Sequence, residues 1–301
     1  MWACPKCHSV TEASEGREPW SEDWRCQNCG AGIEYRDGVA CLAPEMIDSL
    51  SGFDPQFFDI LVKYEETSFW FVNRAALITA LLARYFPHAA ELLEIGCGTG
   101  SVLMAIRKAM PRVNLTGSEL HPSGLIYARE RLADGATLLQ MDARDIIARS
   151  QFDVIGAFDV LEHIAEDEAV MRQMHVALKP SGGVIVSVPQ HRWLWSPADD
   201  VAFHERRYPR GEMERKLEAA GFRILHSTSF NSLLLPLMIA SRQMMILRER
   251  RGIKRDALSE FQMSGWLNRV LSSVLRIEVG LTKAGIHWPV GGSRVVVAQK
   301  A

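Results

Sequence analysis

The stretch that decides the fold is "LLEIGCGTG", Leu92 to Gly100. An apolar run enters a turn with glycine at every second position, Gly96, Gly98 and Gly100, and "SVLMAIRKAM" then continues with helical amphipathicity. A strand that feeds such a turn at the start of a helix brings bare backbone close to a bound nucleotide. Ser101-Val102 follow Gly100, so the G-K-[ST] of a triphosphate-binding loop is absent and that ligand class is excluded.

Working outward, strands are expected at Leu92–Ile95, Val113–Gly117, Thr137–Met141, Phe152–Phe158 and Val184–Val188. The amphipathic segments "SVLMAIRKAM", "PSGLIYARERLA" and "EDEAVMRQMHVALK" alternate with them, and "DARDIIARS" makes a shorter crossover. This alternation predicts a parallel sheet with helices on both faces, and ligands bind such sheets beyond the carboxyl ends of the strands. Acids stand at three of those ends. Glu119 closes the second strand, where a carboxylate accepts hydrogen bonds from ribose hydroxyls. Asp142 closes the third and Asp159 the fourth. Each acid alone is equally well a helix cap or a solvated carboxylate; the loop and three acids in order make the pattern specific.

With those residues in place, "LLEIGCGTG", Glu119, "LLQMDARD", "FDVIGAFDVLEHI" and "LKPSGGVIVSVP" resemble the successive motifs of class I S-adenosylmethionine-dependent methyltransferases, in the branch that includes the ubiquinone and menaquinone methyltransferases. The resemblance covers about residues 91–189. It implies an α/β, Rossmann-like, seven-stranded and mainly parallel sheet that ends in an antiparallel hairpin, for which Phe222–Ser229 and Arg294–Lys300 are the candidates. It also implies that S-adenosylmethionine lies against Glu94, Gly96, Cys97, Gly98 and Gly100. Glu119 would take the ribose, Asp142 would lie near the adenine amine, Phe158 and Asp159 would flank the methionine group and the substrate, and Leu120 and Ala143 complete the expected cofactor-binding set. Candidate acid–base groups at the acceptor are Asp159, Glu162, His163, His191 and His204, with His163, Asp159 and His204 the leading three. An imidazole that merely bonds to backbone is the bland alternative for His163.

A second motif stands at the front. Cys4, Cys7, Cys26 and Cys29 form C-x2-C-x18-C-x2-C, the spacing of a closed four-thiolate zinc site, structural rather than catalytic. "IEYRDGVACL" reads as a hairpin turning at Asp37-Gly38. A segment this short needs a staple to fold. Cys41 reads as a buried small hydrophobe and Cys97 as a small loop residue, not a nucleophile. The expected organisation is a zinc ribbon over 1–43, a linker (about Pro44 to Pro55) with N-terminal helices over 44–90, and the methyltransferase domain over 91–301 with a helical insertion at 230–290. Within 44–90, "FFDILVKYEE" and "FWFVNRAALITALLARYF" are the helices, the second carrying Phe71, Ala75, Ile78, Leu82 and Phe86 at helical spacing.

Two regions bear on the acceptor. The loop "PQHRWLWSPADDVAFHERRYPRGEM" follows the fifth strand and carries Trp193, Trp195, His204, Arg206, Arg207 and Tyr208, a set suited to a planar or anionic ligand and equally to a loop anchored by tryptophans. In the insertion, "SLLLPLMIASRQMMIL" is apolar but interrupted by Pro236 and Arg242, and Arg248, Arg250, Arg251, Lys254 and Arg255 follow it. Trp266, Val270, Val274, Ile277 and Leu281 then form one helical stripe. An apolar helix beside a basic cluster fits an anionic membrane surface; packing on the domain or on a second subunit of a homodimer is the alternative.

The chain has 301 residues, 48% hydrophobic and 23% charged, with net charge −2, an ordinary balance for a globular protein without the basic excess of a nucleic-acid binder. "MWACPKCHSV" has no basic n-region before an apolar run and no spanning segment is visible, so a cytoplasmic or membrane-peripheral location is expected. The favoured function is methyl transfer to a small or lipid-linked acceptor. A ribosomal RNA methyltransferase that uses its ribbon for docking is one alternative. Against it, Lys6, Arg17, Arg25 and Arg36 are outnumbered by Glu12, Glu15, Glu18, Glu22, Asp23, Glu34 and Asp37, and "FDVLEHI" stands where an N/D-P-P-[FY] motif would be. A non-enzymatic cofactor-binding scaffold is the other alternative.

Overall fold

A computed structural model describes residues 1–11, 20–47, 56–252 and 263–301. The linker's 48–55, Glu12, Glu15, Arg17 and Glu18 of the ribbon, and Lys254 and Arg255 of the basic cluster lie outside the described residues.

The front of the chain forms a small antiparallel pair, β1 (Trp2–Ala3) and β2 (Val10–Thr11), then the expected hairpin, β3 (Glu34–Arg36) and β4 (Val39–Cys41). Asp37 and Gly38 both take positive φ, 51° and 73°, the two-residue turn whose twist matches the strands it joins. Three helices follow: α1 (Pro44–Ile47), α2 (Gln56–Tyr64) and α3 (Phe69–Tyr85). The α/β alternation then runs β5 (Glu91–Ile95), α4 (Ser101–Ala109), β6 (Asn114–Glu119), α5 (Pro122–Leu132), β7 (Thr137–Gln140), β8 (Phe152–Phe158), α6 (Asp167–Ala177) and β9 (Leu178–Pro189). After α7 (Pro197–Val201) and α8 (Glu212–Ala219), strands β10 (Phe222–Phe230) and β11 (Ser293–Lys300) enclose α9 (Leu235–Arg250) and α10 (Gly265–Lys283).

All seven expected strands share one sheet, and the hairpin adds two more in the order β10-β11-β9-β8-β5-β6-β7-β4-β3. From β4 to β9 the pairs are parallel; β11 is antiparallel to both neighbours. Leu92 and Leu93 are both buried, as are Val184, Ile185 and Val186, which is why these central strands read as continuous apolar runs rather than as alternation.

The ribbon is therefore tied into the sheet. The crossover "DARDIIARS" forms no helix; instead Trp2 bridges to Ala148, and Trp2 packs edge-on against Phe152 and Trp20 at ring separations of 5.7 and 5.6 Å. Two tryptophans of the ribbon thus cover the sheet face that a crossover helix would otherwise cover. The opposite face is covered by α3, α4, α5 and α10.

Of two expected helix faces, that of α3 is covered at Ile78, Leu82 and Phe86, and that of α10 is rotated. In α3 the buried residues are Asn73, Arg74, Leu77, Ile78, Leu81 and Leu82, and Phe71 and Ala75 lie half-buried at its margin. In α10 the buried face is Leu271, Leu275, Glu278, Val279 and Thr282. Trp266, Val270 and Ile277 of the expected stripe are 64%, 51% and 59% exposed.

Candidate active site

One large cavity, about 1290 Å³, lies beyond the carboxyl ends of β5, β6, β7 and β8 and extends beneath α9 and α10. Glu94, Gly96, Cys97, Gly98, Glu119 and Leu120 line it. Asp142, Ala143, Phe158 and Asp159 line it as well, together with Glu162, His163 and His204. Gly100 does not; it opens α4 at φ 75°. His191 lies outside the cavity, stacked on Trp193 at 5.1 Å.

The glycine loop leaves β5 through positive φ at Gly96 (64°) and Gly98 (51°), a path that side-chain-bearing residues rarely follow. Glu119, at the end of β6, accepts hydrogen bonds from the N–H groups of Gly98 (3.1 Å), Leu120 (2.7 Å) and His121 (3.1 Å). These bonds lock the loop after β5 to the acid at the end of the neighbouring strand β6. Burial raises the carboxyl of Glu119 above the ordinary carboxylate range despite the three N–H donors. Glu94 is buried, and its Oε2 has no hydrogen-bond partner. Burial pushes its carboxyl up to about 8, against the pull of Arg74. The thiol of Cys97 is likewise pushed well above its usual value by burial, in keeping with a small packing residue rather than a nucleophile.

The other two strand-end acids are already partnered. Arg144 holds Asp142 through Nε (3.0 and 3.1 Å), Nη2 (2.9 Å) and its backbone N–H (2.8 Å). Arg74, from the middle of α3, donates to Asp159, and its guanidinium lies 4.5 Å from the ring centre of Trp70. Asp159 has φ 57° and accepts a further bond from Ser187 Oγ at 3.3 Å. The carboxylate of Asp159 is thus engaged by Arg74 and Ser187 together.

Beyond Asp159 a second polar cluster forms. Glu162 and His163 lie in the 3-10 turn Leu161–His163, and His204 lies in the loop after α7. The N–H of Glu205 donates to Glu162 O at 2.8 Å and joins the two segments. The side chain of Glu162 is fully buried and neither carboxyl oxygen has a hydrogen-bond partner. Burial, then the neighbouring Asp159, raise its carboxyl well above the ordinary range. Burial and the nearby His204 bring the His163 imidazole down to about 4. His204 Nδ1 lies 3.0 Å from Asp199 Oδ1. Asp199 also accepts from Arg207 Nη1 at 2.6 Å and from Arg242 of α9. Burial opposes its ionisation, but these partners outweigh it and hold the carboxyl well below the usual range. Arg74, Asp199 and Arg242 were not among the expected site residues. The signal for both arginines was a cation set among apolar neighbours in mid-helix, since buried guanidinium groups need a carboxylate.

The four ribbon cysteines converge as their spacing predicts. Cys4 Sγ is 3.7 Å from Cys29 Sγ, and Cys7 Sγ is 3.6 Å from Cys26 Sγ. A tetrahedral ion with bonds of about 2.3 Å to sulfur requires sulfurs about 3.8 Å apart. Cys41 is buried, its thiol raised by burial, and takes no part.

The fold and the cavity define a Rossmann-like α/β protein with a nucleotide-type glycine loop. The methyltransferase-domain family matches residues 70–227, and the chain belongs to it. Among curated relatives, a ubiquinone biosynthesis O-methyltransferase of Pseudomonas aeruginosa is 33% identical over 105 residues, 32% of this chain and 43% of the relative. A dTDP-3-amino-3,6-dideoxy-alpha-D-glucopyranose N,N-dimethyltransferase of Streptomyces fradiae is 34% identical over 118 residues, 38% and 45% of the two chains. The chain spans less than half the length of these relatives. A solved S-adenosylmethionine-dependent methyltransferase from Thermotoga maritima superposes with a TM-score of 0.51 at 17% identity, over 81% of this chain and 98% of that one, a likeness of fold.

Proposed function

We propose that the protein transfers a methyl group from S-adenosylmethionine to a small or lipid-linked acceptor, both bound in the one cavity. The observation that supports this most is the continuity of that cavity. It joins the glycine loop and Glu119 at one end to Glu162, His163 and His204 in the middle and to apolar side chains of α9 and α10 at the other.

Bound S-adenosylmethionine supplies an electrophilic methyl on a sulfonium centre, so the protein's task is chiefly to position and to exclude water. The loop Gly96–Gly98 offers close backbone approach, Glu119 the ribose acceptor, and Glu94 an unpartnered buried oxygen for a donor on the cofactor. Leu120, Asp142, Ala143 and Phe158 line the same end, with Asp142 held in place by Arg144. Asp159, paired with Arg74, helps to orient the reacting groups. His163 and His204 meet the polar head of the acceptor. The relatives named above are O- and N-methyltransferases, and a hydroxyl acceptor suits the imidazoles. Calorimetry should show one S-adenosylmethionine bound per chain, with Glu119→Ala weakening it at least tenfold; no binding by the wild-type protein would sink the reading.

The zinc ribbon at residues 1–43 is proposed as structural, held by Cys4, Cys7, Cys26 and Cys29. The exposed stripe Trp266, Val270 and Ile277, which follows Arg248, Arg250 and Arg251 in the chain, is proposed to rest on an anionic lipid surface, apolar side chains in the interface and cations at the headgroups. Among the described residues no helix is long and apolar enough to cross a membrane. Leu237, Met238, Leu267 and Leu271 line the cavity between the same two helices, so an apolar tail would reach the cavity from that surface.

A further inference from the structure

Glu162 is an anomaly that methyl transfer by positioning does not use. It is a fully buried carboxylate with both oxygens unpartnered, and groups so placed are costly unless something compensates them. The nearest guanidinium groups are engaged elsewhere, Arg74 on Asp159 and Arg207 on Asp199. What faces it instead is a pair of imidazoles. The ligand atoms of Glu162, His163 and His204 lie within 4.8 Å of one another, and the two rings meet edge to face at 4.8 Å.

Both rings are oriented from behind. His204 Nδ1 is 3.0 Å from a carboxylate oxygen of Asp199, and His163 Nδ1 is 3.4 Å from the carbonyl oxygen of Phe203. An acceptor at Nδ1 fixes the proton there and leaves Nε2 with its lone pair, the state in which an imidazole ligates a metal. Asp199 is held in turn by Arg207 and Arg242, so the orienting carboxylate is itself fixed.

We propose that Glu162, His163 and His204 bind a divalent cation in the middle of the cavity, with Asp199 as the positioning residue behind His204. One carboxylate and two imidazoles are a ligand set that accepts borderline Zn2+ and harder Mn2+ alike, and three protein ligands leave positions open. Tetrahedral bonds of about 2.1 Å would bring the ligand atoms to about 3.4 Å apart, so the three side chains close by an ångström or so around the ion. A cation there would take an oxygen of the acceptor and lower the proton affinity of its hydroxyl. This deepens the proposed function and rests on it for the identity of the ligand, but not for the site itself.

The test is titration of the full chain with Mn2+, read by electron paramagnetic resonance. This hard cation leaves the ribbon thiolates aside. The expected result is one site per chain, weakened by at least tenfold in Glu162→Gln and in His204→Gln, and about 10–100-fold in Asp199→Asn. Calorimetry with S-adenosylmethionine on the same proteins serves as the fold control, and its affinity should stay unchanged in Glu162→Gln. Should that variant fail to fold, His163→Gln carries the same test, because its ring makes a single long hydrogen bond. Wild-type protein that takes up no Mn2+ while binding S-adenosylmethionine overturns this proposal and leaves the methyltransferase reading standing. Mn2+ bound equally by wild type and all variants overturns it too. Mn2+ binding without S-adenosylmethionine binding overturns the function and keeps the site.

Discussion

At the residue scale the site is governed by where buried charge is matched and where it is not. Glu94 is unmatched on one oxygen, and its carboxyl titrates near 8 in the folded protein against 4.5 when free. A raised acid contributes stability that is fully present below pH 4.5 and lost as the pH climbs through 8. Glu94→Gln keeps the neutral form at every pH. Its melting temperature should match wild type near pH 4.5 and exceed it at pH 8.5, a gap on the order of a few kcal/mol in stability. Equal melting temperatures at pH 8.5 would show that Glu94 is compensated when folded. Asp199 is the opposite case, matched by His204, Arg207 and Arg242. Asp199→Ala strands a buried guanidinium and should cost about 3–5 kcal/mol, a melting temperature lower by roughly 5–10 °C. A loss under 1 °C in thermal denaturation would mean the cluster is solvated. The loop glycines and Glu119 were legible in sequence because a strand end fixes where its last side chain points. The pairing of Arg74 with Asp159 was not, because partners 85 residues apart are joined only by the packing of α3 over the sheet.

At the element scale the ribbon is a working edge of the sheet. Leu42 N–H donates to Gln140 O at 2.8 Å, and the Gln140 amide donates to Ala43 O (2.9 Å) and Leu120 O (3.3 Å). The ribbon's exit strand therefore holds the residues beside Glu119 and Asp142. Chelation of zinc, or Cys7→Ser with Cys26→Ser, should unfold the ribbon and weaken S-adenosylmethionine binding about tenfold in calorimetry. Unchanged affinity after proven metal loss would separate the ribbon from the site. The convergence of the four cysteines and the hairpin turn were legible in sequence, but strand pairing with β7 has no local signature: a short strand is read by what lies beside it. Helix α10 shows a related limit. Periodicity reveals an apolar stripe, yet Leu271, Leu275 and Val279 repeat as regularly as Trp266, Val270 and Ile277, and only the tertiary neighbours decide which set is covered. In flotation with anionic vesicles the wild-type protein should rise with the lipid, and Trp266→Ser combined with Arg250→Glu should sink. Indifference of the wild type to lipid, with dimers in solution, would assign that stripe to a second copy.

Across the whole molecule, the chain is arranged as a cavity roofed by elements distant in sequence. The sheet supplies the glycine-loop end, α3 the counter-ion of Asp159, the segments after β8 and β9 the polar cluster, and the insertion between β10 and β11 the apolar end. The sheet and the strand-end residues that line the cavity were readable because each motif sits within a few residues of its strand. The roof was not, because its contacts join Arg242 to Asp199 and Asn268 to Phe69 across long separations that no periodicity encodes. The central claim is that this cavity transfers methyl groups to a small or lipid-linked acceptor. It is tested most directly by incubating the protein with methyl-tritiated S-adenosylmethionine and a fractionated extract of the source cells, alongside Glu119→Ala. The account predicts label in the organic-soluble small-molecule fraction with the wild-type protein and little with the variant. Label in RNA, or none above the variant's level, would contradict it.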